Sequence, residues 1–163
     1  MGAMYRRIML TSDGSWLASS ALPHAVAFAT AGDATVVLVA AIDGLEELRA
    51  EGRATGWLDL GGELSDADLE TGAEEQRALA GEHLGALRSA LSDEGVGAVE
   101  EHVVSGSAGA AIVSAAEEFS CDLIVMATHG RGGLGRAVLG SVADHVARHA
   151  GCPVLLVRSS EPV

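Results

Sequence analysis

The stretch ATHGRGGLGRAVLGS, from Ala127 to Ser141, leaves a strongly apolar run and enters a segment with helical spacing. Glycines at 130, 132, 133, 135 and 140 permit positive φ and let backbone N–H groups come close to a bulky anion. Ser141 would stand at the start of a helix, where unpaired N–H groups and the helix dipole favour negative charge by ~0.3–1 kcal/mol at an exposed site. Arg131 and Arg136 could add positive charge. These residue types fit a phosphate cradle. They fit equally a flexible turn in which Ser141 caps the helix and Ser141-Val142-Ala143-Asp144 forms a capping box.

Other reactive residues carry less. His145 and His149 lie four apart on one helix face beside Asp144, a spacing that could hold zinc. A third ligand at suitable spacing is missing, and histidines at a helix C-terminus are explained by the dipole. Ser107 and Ser114 have no positioned base nearby, and no G-x-S-x-G elbow occurs. His129 is read as packing or facing water. The segment SGSAGA, Ser105 to Ala110, could form a second edge of a ligand pocket; the preferred reading is a helix start capped by serine.

Positioning these residues requires a scaffold, and the apolar pattern supplies one. RRIMLT (Arg6–Thr11) reads as a strand that turns through SDGS into a helix with Leu17, Ala21, Ala25 and Phe28 on its inner face. TVVLVAAI (Thr35–Ile42) is apolar on both faces, as a central strand covered by helices should be. Asp66–Glu94 repeats Leu69, Ala73, Ala80, Leu84, Leu87 and Leu91 at three- and four-residue steps, the longest predicted helix. AVEEHVV is a third strand, Ala108–Phe119 a helix with Ile112, Ala116 and Phe119 inward, and DLIVMA (Asp122–Ala127) a fourth strand. Val142–Ala150 is then a helix and PVLLVR, residues 153–158, a fifth strand. This alternation predicts a single α/β domain over residues 4–159, an open, mainly parallel five-stranded sheet with helices on both faces. The span 43–65, rich in glycine and acid, is expected to be an irregular insertion or flap that Trp57 could anchor. Met1–Ala3, ahead of a second methionine, are expected to be a cloning scar.

Composition narrows the partners. The 163 residues carry a formal net charge of -13, and all ten basic residues are arginine. Without lysine there is neither a Schiff-base amine nor a Walker-type phosphate lysine, and the acid excess would repel a nucleic-acid backbone. Cys121 and Cys152 lack C-x-x-C spacing, which suits packed thiols in a reducing compartment. No apolar run approaches the ~20 residues of a membrane span, and no secretory leader opens the chain. A soluble cytoplasmic protein that binds neither nucleic acid nor membrane is expected.

Gly130, nine further residues and then Gly140-Ser141, placed between a strand and a helix, resemble the G-x2-G-x9-G-[ST] pattern of the nucleotide-binding branch of the universal stress protein family. The following VADHVARHAGCPVLLVR is similar to that family's last helix and closing strand, and the likeness runs from RRIMLTSDGS to PVLLVR. The resemblance implies a Rossmann-like fold of the adenine-nucleotide α-hydrolase type and a site for ATP, with Mg2+ in attendance. Its residues would be Asp13 toward the nucleoside, Ala41 through its backbone toward the base, and Ala127, Gly130, Arg131, Gly140, Ser141 and Val142 around the phosphates and ribose. By itself Asp13 reads as a helix N-cap in its turn. The family pattern opens with glycine where this chain has Ala127, an added methyl that is tolerable if φ there is negative.

The resemblance further implies a regulatory nucleotide-binding protein with slow or absent chemistry, and a homodimer joined through the strand 153–158, whose apolar edge invites pairing. Two alternatives stay open at this point. One is an ATP-cleaving enzyme of the related α/β group, against which stands TSDGS in place of an S-G-G-x-D-S loop. The other is a nucleotide-free interaction protein of the same fold, favoured by Ala127.

Overall fold

In a computed structural model of the protein, residues 4–14, 18–54, 65–129 and 140–159 are described. Strands and helices alternate: β1 (Arg7–Ser12), α1 (Ala18–Gly32), β2 (Thr35–Ile42), α2 (Leu45–Ala54), α3 (Asp66–Asp93), β3 (Ala98–Ser105), α4 (Ala108–Glu118), β4 (Leu123–His129), α5 (Ser141–His149) and β5 (Val154–Ser159). The strands form one sheet in the order β3-β2-β1-β4-β5, and every neighbouring pair is parallel. This is the expected α/β architecture, with the sheet wholly parallel.

Alternation along each strand divides the core in two. Ile8, Leu10, Val36 and Leu38 pack with Ala21, Ala25 and Ala29 of α1 and with Leu84 and Leu91 of α3. Met9, Val37, Val39 and Ile124 pack on the opposite face with Ile112 and Ala116 of α4 and Ala143 and Val146 of α5. Burial on both faces explains why β1 and β2 read as unbroken apolar runs. On α1 the fully buried positions are alanines, and Leu22 and Val26 pack beside them partly buried. Phe28 is 38% exposed and sits edge-on to Tyr5, with ring centroids 5.6 Å apart, instead of facing the core as expected.

Local chemistry sets several boundaries. Helix α3 starts at a capping box, where Ser65 Oγ accepts from the Asp68 N–H at 3.2 Å and the Ser65 N–H donates to Asp68 Oδ2 at 3.1 Å. Two hydrogen bonds from Ser65 hold the Asp68 carboxyl below its ordinary pKa. One helix departs from the sequence reading. Leu45–Ala54 forms α2, inside the span expected to be irregular, with Glu46 and Glu47 in its first turn, where the dipole favours acids. Its sequence LEELRAEGRA carries too few apolar residues for periodicity to reveal it. Residues 55–64, including Trp57, lie outside the described residues.

The two outer strands differ. At the free edge of β3, Arg77 Nη1 donates to the Val103 carbonyl at 3.3 Å and Arg88 Nη2 to the Val99 carbonyl at 3.4 Å. Arg77 also reaches Ser105 Oγ at 3.0 Å, and Arg88 pairs with Glu101 at 3.1 Å. Guanidinium groups from α3 thus occupy carbonyls that another strand would need. On β5, Val154, Leu155, Leu156 and Val157 are half-buried at the opposite edge.

At the amino ends of the strands, Asp122 joins β1 to β4 by accepting from the N–H groups of Arg6 at 2.8 Å and Arg7 at 3.1 Å. The Arg7 guanidinium grips Glu100 of β3 with two bonds of 2.8 and 2.9 Å and donates to the Phe119 carbonyl at 2.7 Å. The bond from Arg7 holds the Glu100 carboxyl below its usual range, and His102, stacked on Phe119 at 3.9 Å, adds to this. Burial pushes the Cys121 thiol up to about 11, so it stays protonated as a packed apolar group.

Candidate functional site

The strand order reverses between β1 and β4. The chain runs from β1 outward through β2 to β3, then crosses back to lay β4 and β5 on the other side. In an open parallel sheet this switch point leaves a crevice beyond the carboxyl ends of the strands, because the adjoining loops depart to opposite faces. Here the ladder itself also ends early: β1 pairs with β4 only from Ile8↔Leu123 to Leu10↔Val125, although both strands continue. A cavity of about 280 Å³ opens where the pairing stops.

Each wall comes from a different element. Thr11, Ser12 and Asp13 line it from the end of β1, Ala41 from β2, and Met126, Ala127 and Thr128 from β4. Ala108 and Ile112 close one side from α4, and Gly140 through Ala143 form the floor at the start of α5. Six expected site residues, Asp13, Ala41, Ala127, Gly140, Ser141 and Val142, therefore meet around one space, although they span 130 positions of sequence. Gly130 and Arg131 lie outside the described residues, as does Arg136.

Two capping expectations are corrected. Gly140, not Ser141, occupies the N-cap position of α5, no side-chain cap bond is made, and the Asp144 N–H bonds to the Gly140 carbonyl at 2.9 Å. The Ser141–Asp144 box does not form because Ser141 already lies inside the helix and Asp144 turns to Arg148, Oδ2 to Nε at 2.8 Å. That bond, aided by charge, keeps the Asp144 carboxyl below its usual range. Among the described residues, no side chain thus caps the first-turn N–H groups of α5, which an α-helix cannot pair internally and which lie beside the cavity. Likewise Ser107 stands at the N-cap of α4 without a side-chain cap bond. The neighbouring Ala108 lines the cavity, so this segment is the second edge of the pocket and not a serine-capped start.

Ala127 has an unstrained backbone. It sits within β4 opposite Val157, and it is not among the non-glycine residues with positive φ, which are Asp33 and Ser120 among the described residues. An L side chain therefore needs no distortion at this position. The walls supplied by Thr11, Met126, Thr128 and Ile112 were not anticipated from sequence. Their signal was positional, since each lies at a strand's carboxyl end or one turn into the following helix. His145 and His149 stack at 4.2 Å, and a ring nitrogen of His149 bonds the His145 carbonyl at 2.8 Å. No group of three metal-binding side chains occurs among the described residues.

A parallel doubly wound sheet, with a pocket at its switch point floored by an uncapped helix start, defines an α/β protein built to take a small ligand. The chain belongs to the universal stress protein family, whose model matches residues 4–158. It is 34% identical over 157 residues to universal stress protein MJ0531 of Methanocaldococcus jannaschii, covering 95% of this chain and 83% of that protein. Against a putative universal stress protein of Staphylococcus aureus strain USA300 it is 31% identical over 158 residues, 96% of this chain and 86% of the relative. Among solved structures, hypothetical protein MJ0577 superposes with a TM-score of 0.74 at 27% identity, covering 98% of this chain and 99% of that one. The same fold occurs in a universal stress protein in complex with cAMP (TM-score 0.62, 24% identity, 96% and 99% covered). It occurs also in the Archaeoglobus fulgidus protein in complex with dAMP (TM-score 0.62, 23% identity, 94% and 98% covered). No helix among the described residues is long and apolar enough to cross a membrane.

Proposed function

We propose that this protein binds an adenine nucleotide in the switch-point cavity, ATP foremost, as a regulatory ligand in a cytoplasmic stress response. The observation that carries the reading is the uncapped start of α5, which forms the floor of a pocket whose other walls are mostly apolar. Backbone N–H groups and the positive end of the helix dipole suit phosphate oxygens. Asp13 at the end of β1 would accept from a ribose hydroxyl, and the backbone of Ala41 would meet the base edge. Gly130 and Arg131 would complete the cradle, with Val142 contributing its N–H. The cAMP and dAMP complexes of proteins with this fold support the class of ligand. Mg2+ would arrive on the nucleotide's phosphates, as that ion usually does, and not in a cage of protein side chains.

The reading is regulatory because the chain offers little to drive phosphoryl transfer. It has no lysine, and Arg131 is the best cation for a transferring phosphate. For assembly, β5 pairs antiparallel with β5 of a second copy, giving a C2 dimer; its half-buried apolar residues and the arginine-covered opposite edge support this choice.

Calorimetry with Mg-ATP, AMP and cAMP tests the proposal directly. Saturable binding is expected, and no heat at millimolar nucleotide would leave a nucleotide-free interaction protein. Gly130→Asp, which sets a carboxylate against the phosphates, should abolish binding while the far-UV spectrum is retained. Release of phosphate or pyrophosphate at many turnovers would replace the regulator with an enzyme.

A further inference from the structure

Asp13 carries the contact to the nucleoside in the nucleotide reading, yet the sheet does not hold it. The β1–β2 ladder runs out at Ser12↔Ala40 and the β1–β4 ladder already at Leu10↔Val125. Asp13 is therefore the first residue past the end of β1, exposed and outside both ladders. A carboxylate that is to meet a ribose hydroxyl has to be held to within about 0.5 Å by its supporting groups. Something other than strand pairing must do this.

The residues on either side of Asp13 supply the restraint. The Gly14 N–H donates to Ser12 Oγ at 3.2 Å, a side-chain turn that closes around Asp13. Ser12 is only 7% exposed and stands in register with Ala40, so the accepting oxygen belongs to the rigid part of the molecule. Gly14 takes φ +76°, a conformation in which a side chain would be strained. The ring of His83, from α3, fills the place that side chain would need: a Cβ on Gly14 would stand 2.7 Å from Nδ1 and 2.9 Å from Cε1. Gly14 and His83 border a second cavity on the α3 side of the strand tips, and Ser12 and Asp13 border both cavities. The turn is thus fastened to β1 before Asp13 and covered by α3 after it.

We propose that Ser12 is a positioning residue for nucleotide binding: its hydroxyl holds the Asp13–Gly14 turn so that the Asp13 carboxylate meets the ribose, while Ser12 itself makes no bond to the ligand. The role rests on the nucleotide reading for its ligand. The turn that performs it is present without one.

Amide NMR on the full-length protein tests both the turn and the role. Without nucleotide, hydrogen exchange at the Gly14 amide should quicken at least about threefold in Ser12→Ala and return toward the unmodified rate in Ser12→Thr, whose Oγ1 can accept the same bond. With AMP as titrant, Ser12→Ala should bind about threefold to tenfold more weakly, the worth of one ordinary hydrogen bond, and Ser12→Thr should recover the affinity. In an Asp13→Ala background the same Ser12→Ala change should cost less than about twofold, because the group it positions is gone. An equal loss in that background would mean that Ser12 touches the ligand itself, and would overturn the proposal. So would unchanged Gly14 exchange in Ser12→Ala, or a threonine variant that restores the exchange rate without the affinity. Binding of AMP that Ser12→Ala leaves untouched removes the positioning role alone, whereas no binding by the unmodified protein removes the nucleotide reading and the role together.

Discussion

Ala127 is the residue at which this chain departs from the pattern of its family's nucleotide-binding branch, and its backbone decides what the departure means. A strand position with ordinary φ accepts a Cβ without strain, so the methyl group acts only through the cavity volume it takes up. Ala127→Gly should therefore change adenine-nucleotide affinity by no more than about 0.5 kcal/mol, the range of a contact-neutral substitution. A tenfold gain by calorimetry would mean instead that the methyl obstructs the ligand. Ser141 shows the opposite relation between sequence and structure. Its type and the acid three residues on matched a capping box, but a shift of one position put Gly140 at the cap and made Asp144 the partner of Arg148. A one-residue displacement of a helix start is invisible to a pattern, yet it determines whether the first-turn N–H groups are occupied or available.

Among the elements, α4 and α5 hold the site in shape by packing closely together. Gly109 in the first turn of α4 lies against His145 of α5, and a Cβ there would stand 2.9 Å from both Cβ and Cγ of the histidine. Those atoms are near the helix backbone and cannot swing aside. Gly109→Ala should therefore destabilise the fold by about 1–2 kcal/mol, the overpacking loss exceeding the gain in helix propensity. Chemical denaturation would show it as a lower midpoint at unchanged slope, and a stabilised variant would mean that the helices part freely. The strands and most helices were legible because each buries a recognisable stripe: β2 on two faces, and Leu69, Leu84 and Leu91 on α3. Helix α2 was not, since a short polar helix on the flank of α3 leaves no such stripe. The cavity walls fell between these cases. Gly140 was legible as part of the glycine-rich stretch and Asp13 and Ala41 came from the resemblance, whereas Met126 and Ile112 look like any other core residue until the ladder between β1 and β4 is seen to stop.

For the molecule as a whole, the two sheet edges are unlike, and this asymmetry limits how copies can associate. Arg77 and Arg88 occupy carbonyls along β3, while β5 carries no such cover among the described residues. Replacing both arginines by alanine should leave the monomer folded and expose β3 as a second pairing edge. Size-exclusion chromatography with light scattering should then show concentration-dependent species larger than those of the unmodified protein. Unchanged mass at high concentration would mean that the arginines do not guard the edge. With both edges open, association by β3 and β5 would no longer close on itself, and the product would be a chain of subunits in place of the proposed pair.

The division of the candidate site between β1 and β4 also ties its assembly to the synthesis of most of the chain. Arg7 and Asp122, which fasten these two strands, are 115 positions apart, so one wall of the cavity is made early and the facing wall only after most of the chain has emerged. No amino-terminal fragment ending before β4 can enclose a ligand there, and neither can a molecule whose second half is misfolded. A ligand held there would therefore report that β1, β2, α4, β4 and the start of α5 have all come together.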